Sequence, residues 1–169
     1  MLNNKCNTGK GEEGMKHKKE LLTYCGFYCG DCLGYTGVIA DAATDFKTML
    51  DKYKFERTAK CVLPDQLKDY DRFYEIVSFM TGLKCPLICR ARQDSSVSCV
   101  VRKCCIDNGF YACYECDNFE ACDKLKSLME GLHYKSSLKN LRSIQQMGLE
   151  EWISRGKRHH YWDEGDEGI

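Results

Sequence analysis

The fold is decided by one stretch of the sequence, residues 99–122, which reads CVVRKCCIDNGFYACYECDNFEAC. This stretch holds six of the 13 cysteines of the 169-residue chain. Cys113 and Cys116 are separated by two residues, a spacing that lets both thiolates reach one metal ion. Cys99 and Cys104 lie upstream at a spacing close to a helical turn. The stretch therefore predicts a short helix, a metal-binding turn and a second helix.

The preferred set of metal ligands from this stretch is Cys99, Cys104, Cys113 and Cys116. Cys122 is either a further ligand or a small apolar residue on a core-facing helix stripe. Asp117 and Glu120 have the spacing of a capping box, which predicts that the helix carrying Cys122 begins near Asp117. The positive end of that helix would then face the anionic thiolates.

A second motif lies near the N-terminus, where Cys25, Cys29 and Cys32 form a Cys-x3-Cys-x2-Cys run. Cys85 or Cys89 would complete a second four-ligand site from a distance. The run also resembles the cluster loop of radical S-adenosylmethionine enzymes, and that resemblance implies a [4Fe–4S] cluster. Those enzymes have a hydrophobe where this chain has Asp31, and they need a β/α barrel.

Apolar residues recur at helical spacing, and strand-like alternation is almost absent. The sequence predicts a mainly α fold, a small cysteine-rich helical domain stabilised by metal, with irregular metal-binding loops. The expected domain boundaries are a disordered arm over 1–18, one domain over 19–162 and a flexible acidic tail over 163–169. The predicted helices are 38–53, 67–80, 97–106, one carrying residues 119–128, 134–144 and 149–153.

Composition narrows the class of function. Lys and Arg (25) balance Asp and Glu (25), which argues against a dedicated nucleic-acid-binding protein. No apolar run reaches the roughly 20 residues of a membrane span, and the N-terminus lacks the apolar stretch of a signal peptide. We therefore expect a cytoplasmic location, where closely spaced cysteines favour metal binding over disulfides.

The remaining candidates are weaker. Cys6, Cys61 and Cys105 lie outside the motifs. Cys6 is interpreted as an exposed thiol, and Cys61 and Cys105 are interpreted as packed thiols. The four histidines, His17, His133, His159 and His160, are weak metal candidates. The chain has no His-Glu-x-x-His pattern, so a zinc hydrolase is disfavoured and catalysis is not expected. Basic residues at Arg90, Arg92, Arg102 and Lys103 are interpreted as a solvated face or as charge that offsets the thiolates.

Three segments together resemble an uncharacterised cysteine-rich family of bacteria and archaea, domain of unknown function 3795. They are Tyr24–Cys32, the region from Cys99 to Phe119, and the C-terminal Asn140–Trp152. The resemblance implies that nine cysteines are recurrent in the family: Cys25, Cys29, Cys32, Cys85, Cys99, Cys104, Cys113, Cys116 and Cys122.

The chain departs from this family at two places. It has Phe119-Glu-Ala-Cys122 where Phe-Pro-Cys is usual, and Cys85-Pro-Leu-Ile-Cys89 where a Cys-x-Gly-Cys-like pair is usual. The family is suspected to bind zinc but has no established activity. We expect a structural zinc protein that binds a macromolecule, with a protein as the expected partner, and we keep an iron–sulfur or redox protein as the alternative.

Overall fold

The structure is a computed structural model that describes residues 9–92, 99–129 and 133–163. In these ranges the secondary structure is helical, with no strand and one isolated antiparallel bridge between Leu22 and Tyr28. The predicted mainly α fold is confirmed. The helices α1 to α9 are Gly9–Glu20, Leu33–Thr36, Val38–Lys52, Phe55–Cys61, Tyr70–Met80, Val100–Asp107, Asp123–Met129, Tyr134–Met147 and Leu149–Arg155. Single 3-10 turns lie at Cys29–Asp31, Cys89–Ala91, Cys113–Glu115, Phe119–Ala121 and Tyr161–Asp163.

The chain divides into two compact units, where the sequence predicts one domain over 19–162. Unit 1 is Met1–Gly30 together with Ile88–Ile169, and unit 2 is Asp31–Leu87. No helix in the described ranges combines the length and the apolar composition of a membrane span. The predicted acidic tail falls almost wholly on residues 164–169, which lie outside the described residues, as does Cys6.

Unit 2 is built on the packing of α3 against α5. Ala40, Ala43 and Leu50 form the buried side of α3, and they recur at the helical spacing that the sequence shows. Tyr70 and Val77 form the buried side of α5. The small alanines let the two helix backbones approach closely.

Unit 1 has its core among α6, α7 and α8. Its buried cluster consists of Val101, Cys105, Cys113, Phe119, Leu125 and Leu141. Helix α9 packs against both α1 and α8, and its Trp152 is fully buried. Asn140 of α8 exchanges two hydrogen bonds with the backbone of His159, at 2.9 and 2.8 Å, and so fixes the segment that follows α9.

Three helices, α1, α5 and α4, differ from the sequence prediction. Residues 9–18 belong to α1, although a disordered arm is expected there, and three basic residues in the last turn of α1 complement its dipole. Residues 64–69 form successive turns, so α5 begins only at Tyr70. Helix α4 is not predicted at all, because its seven residues are too few for a periodic signal.

The predicted cap at Asp117 is wrong. The N–H groups of Phe119 and Cys122 bond to carbonyl groups three residues earlier, at 3.3 Å each, which is the pattern of a tight turn. Helix α7 begins at Asp123, and the carbonyl of Cys122 accepts its first helical hydrogen bond from Lys126 at 3.0 Å. Burial of Phe119 in the core holds the chain in the turn conformation.

Candidate metal centre

The charges of Cys89 and Cys99 act on the thiol of Cys25, and these three residues of unit 1 form what we call the thiol cluster. Cys25 is partly buried, and the loss of solvent raises the pKa of its thiol to about 11. The thiols of Cys89 and Cys99 add to this rise through charge repulsion. Two hydrogen-bonding groups lower this pKa: the hydroxyl of Thr23, which is 3.4 Å from Cys25 Sγ, and the backbone N–H of Phe27. The cluster therefore joins three chain segments and has polar groups around at least one sulfur.

Arg102 connects two of these thiols. Its backbone N–H points at Cys99 Sγ at 3.4 Å, because Cys99 is the N-cap residue of α6. Its Nη2 lies 3.9 Å from Cys89 Sγ, and its Nη1 donates to the carbonyl of Arg92 at 3.1 Å. The buried Nε of Arg102 has no hydrogen-bond partner within the described part of the chain. A guanidinium and a helix N-terminus both favour the thiolate form of a cysteine.

Cys105 and Cys113 form a second pair in the core of unit 1. Their sulfur atoms lie 3.7 Å apart, and both residues are buried. The hydrogen bond between them lowers the pKa of Cys105 and raises that of Cys113. The sequence prediction assigned Cys105 to packing, and this residue is buried beside Cys113, a predicted ligand.

Cys104 lies on α6 near the start of α7. The Nζ of Lys124 is 3.3 Å from Cys104 Sγ, and this hydrogen bond raises the pKa of the lysine. The thiol of Cys122 contributes to the same rise. The side-chain amide of Asn108 is 3.8 Å from Cys104 Sγ. A cation and an amide donor thus face this sulfur.

The other predicted ligands of unit 1 are Cys29 and Cys116. Cys29 is buried, and its N–H donates to the carbonyl of Leu21 at 2.7 Å. Cys116 is partly buried against the core, and its N–H donates to the carbonyl of Cys113 at 3.0 Å, closing the predicted Cys-x2-Cys turn.

Unit 2 contains Cys32 and Cys85. Both lie beside Gly34. A Cβ atom placed on that glycine would lie 3.8 Å from Cys32 Sγ and 3.7 Å from Cys85 Cβ. The N–H of Cys85 donates to the carbonyl of Gly34 at 2.8 Å, and its thiol donates to the carbonyl of Leu87 at 3.1 Å. The structure thus brings these two predicted ligands to the same backbone position.

Two members of the preferred ligand set have different polar neighbours. Cys99 Sγ accepts the backbone N–H of Arg102, whereas Cys104 lies with Lys124. Among the described residues, no three His, Cys, Asp or Glu side chains converge closely enough to form a metal-binding group. The partition of the cysteines among metal sites stays a prediction.

Thr23, which contacts Cys25, has no role in the sequence prediction, whereas Arg102 is among the basic residues interpreted as charge that offsets the thiolates. The signal for Arg102 was present in the sequence, since the N–H of the third residue after an N-cap points back at the cap side chain. Recognition of Cys99 as an N-cap would have identified that contact. Nothing in the sequence marks Thr23, because its contact with Cys25 depends on the turn that follows.

The basic residues near these thiols have structural partners. Arg90 lies between the rings of Tyr24 and Tyr111, with its guanidinium carbon 4.5 and 3.8 Å from their centroids. It also donates to the carbonyls of Leu22 and Tyr111 at 2.7 Å each. Lys103 pairs with Asp107 at 3.0 Å. These contacts give Arg90 a structural role between two aromatic rings and place Lys103 in a surface ion pair.

Comparison with known families matches residues 21–127 to the family described as "Protein of unknown function (DUF3795)". The match covers more than half of the 169-residue chain. The chain belongs to this family. Comparisons with curated proteins and with solved structures gave no match.

The matched region of this DUF3795 protein contains 12 of the 13 cysteines, all except Cys6. All ten predicted ligands therefore lie within it. Helices α8 and α9 lie beyond the match, although the sequence resemblance extends to Trp152.

Proposed function

We propose that this chain binds zinc through cysteine thiolates, that zinc stabilises its helical fold, and that the fold serves to bind another macromolecule. One observation carries the proposal: Arg102 contacts the sulfur atoms of Cys99 and Cys89, at 3.4 and 3.9 Å, although these cysteines come from separate segments of unit 1. The pKa of the Cys25 thiol is raised to about 11, so its thiolate form is unfavourable without a nearby cation, and bound zinc would supply that cation.

The surroundings of the sulfur atoms support this proposal. Metal-bound thiolates normally accept hydrogen bonds from outer groups, which orient them and spread their charge. Arg102 provides such contacts at Cys99 and Cys89, the hydroxyl of Thr23 lies beside Cys25, and Lys124 provides a cation at Cys104. Bound zinc would supply a cross-link between the segments that these residues position.

The donor chemistry favours a structural role over catalysis. All ten predicted ligands are cysteines, and all-cysteine coordination normally leaves no position for a reactive water. We therefore propose an interaction protein, with a protein as the expected partner. We place it in the cytoplasm, where reducing conditions keep thiols available for metal.

Elemental analysis of the full chain, purified both in air and without oxygen, tests the proposal. We expect at least one zinc per chain, and we expect Cys25→Ser or Cys99→Ser to lower the zinc content. Cys61→Ser is the matched control, because Cys61 is an exposed thiol at the end of α4. This variant should keep the full zinc content.

Two results would contradict the proposal. Protein without bound metal in both preparations would end it. Iron in place of zinc, with visible absorption in the oxygen-free preparation, would favour the iron–sulfur alternative that the Cys25–Cys32 spacing suggests.

A further inference from the structure

Two buried thiols in the core of unit 1 face each other. Cys105 lies on the buried side of α6, and Cys113 begins the 3-10 turn Cys113–Glu115. Their sulfur atoms are 3.7 Å apart, although the two residues are eight positions apart along the chain. A disulfide bond measures about 2.05 Å, so the sulfurs need to approach by about 1.7 Å, which small rotations of both side chains can supply. The fold thus holds two thiols in a position to be joined.

Hydrogen bonds fix the backbone of both cysteines. The carbonyl of Cys105 accepts the N–H of Phe110 at 2.9 Å, and the N–H of Cys113 donates to the carbonyl of Tyr24 at 2.9 Å. Between them, Gly109 has a φ of +71°, the left-handed conformation that ends α6 and turns the chain. Two groups held opposite each other in this way react at an effective concentration far above that of free thiols.

The surroundings of the pair favour reaction between these two sulfurs. Cys25 and Cys116 pack at the edge of the buried cluster, but Cys105 is the residue whose sulfur is at hydrogen-bonding distance from that of Cys113. Cys113 is 8% exposed and Cys105 is 2% exposed, so an oxidant from the solvent meets Cys113 first. The other buried members of the cluster are apolar and offer an oxidised sulfur no nucleophile: Val101, Phe119, Leu125 and Leu141.

The two thiols also differ in their relation to the proposed metal. Cys113 is one of the ten predicted ligands, whereas Cys105 is outside that set. Zinc is bound by a thiolate, and a sulfur atom in a disulfide no longer carries that charge. Joining this pair therefore withdraws one ligand and leaves the other nine unchanged. In the cytoplasm, disulfides are usually transient and redox-sensing.

We propose that a hydroperoxide converts Cys105 and Cys113 into a reversible disulfide, which releases the metal that Cys113 helps to hold. The release of metal rests on the proposed zinc binding, whereas the disulfide does not. With hydrogen peroxide, the sulfur of Cys113 attacks the O–O bond, giving a sulfenic acid and one water. The thiol of Cys105 then attacks the oxidised sulfur, and its proton leaves with the hydroxyl group as a second water. The two sulfurs lose two electrons, and the peroxide is reduced.

Peptide mapping of the full chain tests this proposal. The zinc-loaded protein is treated without oxygen with one equivalent of hydrogen peroxide, its remaining thiols are alkylated, and it is digested with chymotrypsin. Cleavage after Tyr111 and Tyr114 leaves Cys113 as the single cysteine of residues 112–114. We expect mass spectrometry to find this peptide linked to the peptide that carries Cys105. A chromophoric chelator should detect zinc release in step with the link, and dithiothreitol should reverse both changes.

Cys105→Ala is the decisive variant, because Cys104 is its neighbour and lies in the same peptide. The variant should lose the linked peptide and release zinc about threefold or more slowly, since no second thiol captures the oxidised sulfur. Cys61→Ala is the matched control, because Cys61 is an exposed thiol of unit 2, and it should behave as the wild type does. Circular dichroism verifies that both variants are folded.

Three results would overturn the proposal. They are a wild-type chain without the linked peptide, a link that persists in Cys105→Ala, and a lower zinc content of reduced Cys105→Ala, which would make Cys105 a ligand. A linked pair that keeps all its zinc would overturn the release of metal. A reduced wild-type chain without zinc would end the proposed function, and its linked peptide would still establish the disulfide.

Discussion

At the scale of single residues, Cys99 and Arg102 link a helix end to the thiol cluster. Cys99 caps α6 with its sulfur, which accepts the N–H of Arg102 at 3.4 Å. The guanidinium of the same arginine extends to Cys89. Arg102 thus contacts two thiols of the cluster: its backbone contacts Cys99, and its side chain contacts Cys89.

We predict that Arg102→Gln weakens zinc binding by about tenfold, because it removes the positive charge beside Cys89 while leaving the backbone contact to Cys99. Competition with a chromophoric chelator measures the affinity. Lys103→Gln is the control, since this neighbour is exposed and forms an ion pair with Asp107. Equal affinity of both variants would show that the guanidinium has no part in metal binding.

At the scale of elements, α3 and α5 are joined by polar contacts as well as by their apolar sides. The Asp51 carboxylate on α3 accepts hydrogen bonds from Lys47 at 2.8 Å and from the hydroxyl of Tyr74 on α5 at 2.6 Å. The hydrogen bond from Lys47, and to a smaller extent that from Tyr74, holds the pKa of Asp51 below its ordinary value. A carboxyl whose pKa is lowered by folding stabilises the fold above its ordinary pKa, and this contribution is lost as the pH falls through the lowered value.

We predict that Tyr74→Phe raises the pKa of Asp51 toward its ordinary value, because the hydroxyl donor between α3 and α5 is lost. Carbon-detected NMR titration of the side-chain carboxyl measures this change. The control is Tyr53→Phe, which removes the hydroxyl of a largely exposed tyrosine. An unchanged pKa of Asp51 in Tyr74→Phe would contradict the contact between the two helices.

At the scale of the whole molecule, the proposed metal acts on one unit more than on the other. Unit 1 holds Cys25, Cys89 and Cys99, whereas the α3–α5 core of unit 2 contains no cysteine. Structural zinc contributes roughly 10–16 kcal/mol of apparent binding energy. The stability of a domain is about 5–15 kcal/mol. Loss of the metal is therefore large enough to unfold the unit that holds it.

We predict that a strong zinc chelator unfolds unit 1 before unit 2. Hydrogen exchange followed by mass spectrometry should show faster exchange in α6, α7 and α8, with α3 and α5 still protected. Readdition of zinc should restore protection, which distinguishes metal loss from damage by the chelator. Unchanged exchange and unchanged circular dichroism after complete metal removal would argue against a structural metal.

The sequence by itself determined the helical class and the positions of α3, α6, α8 and α9 to within a few residues. Apolar periodicity depends on neighbours along the chain, so it is visible without the fold. The sequence also identified the DUF3795 family, because the spacing of cysteines is a property of the chain that does not depend on the fold. The late starts of α5 and α7 were not visible, because burial of Tyr70 and Phe119 sets them.

Only the tertiary structure decided which thiols meet. The sequence grouped cysteines by closeness along the chain, which favours Cys99, Cys104, Cys113 and Cys116. The fold brings Cys99 and Cys89 to the same arginine, Arg102, and it places Cys105 against Cys113. Contacts between distant segments depend on how helices and loops pack, and no spacing rule along one chain contains that information.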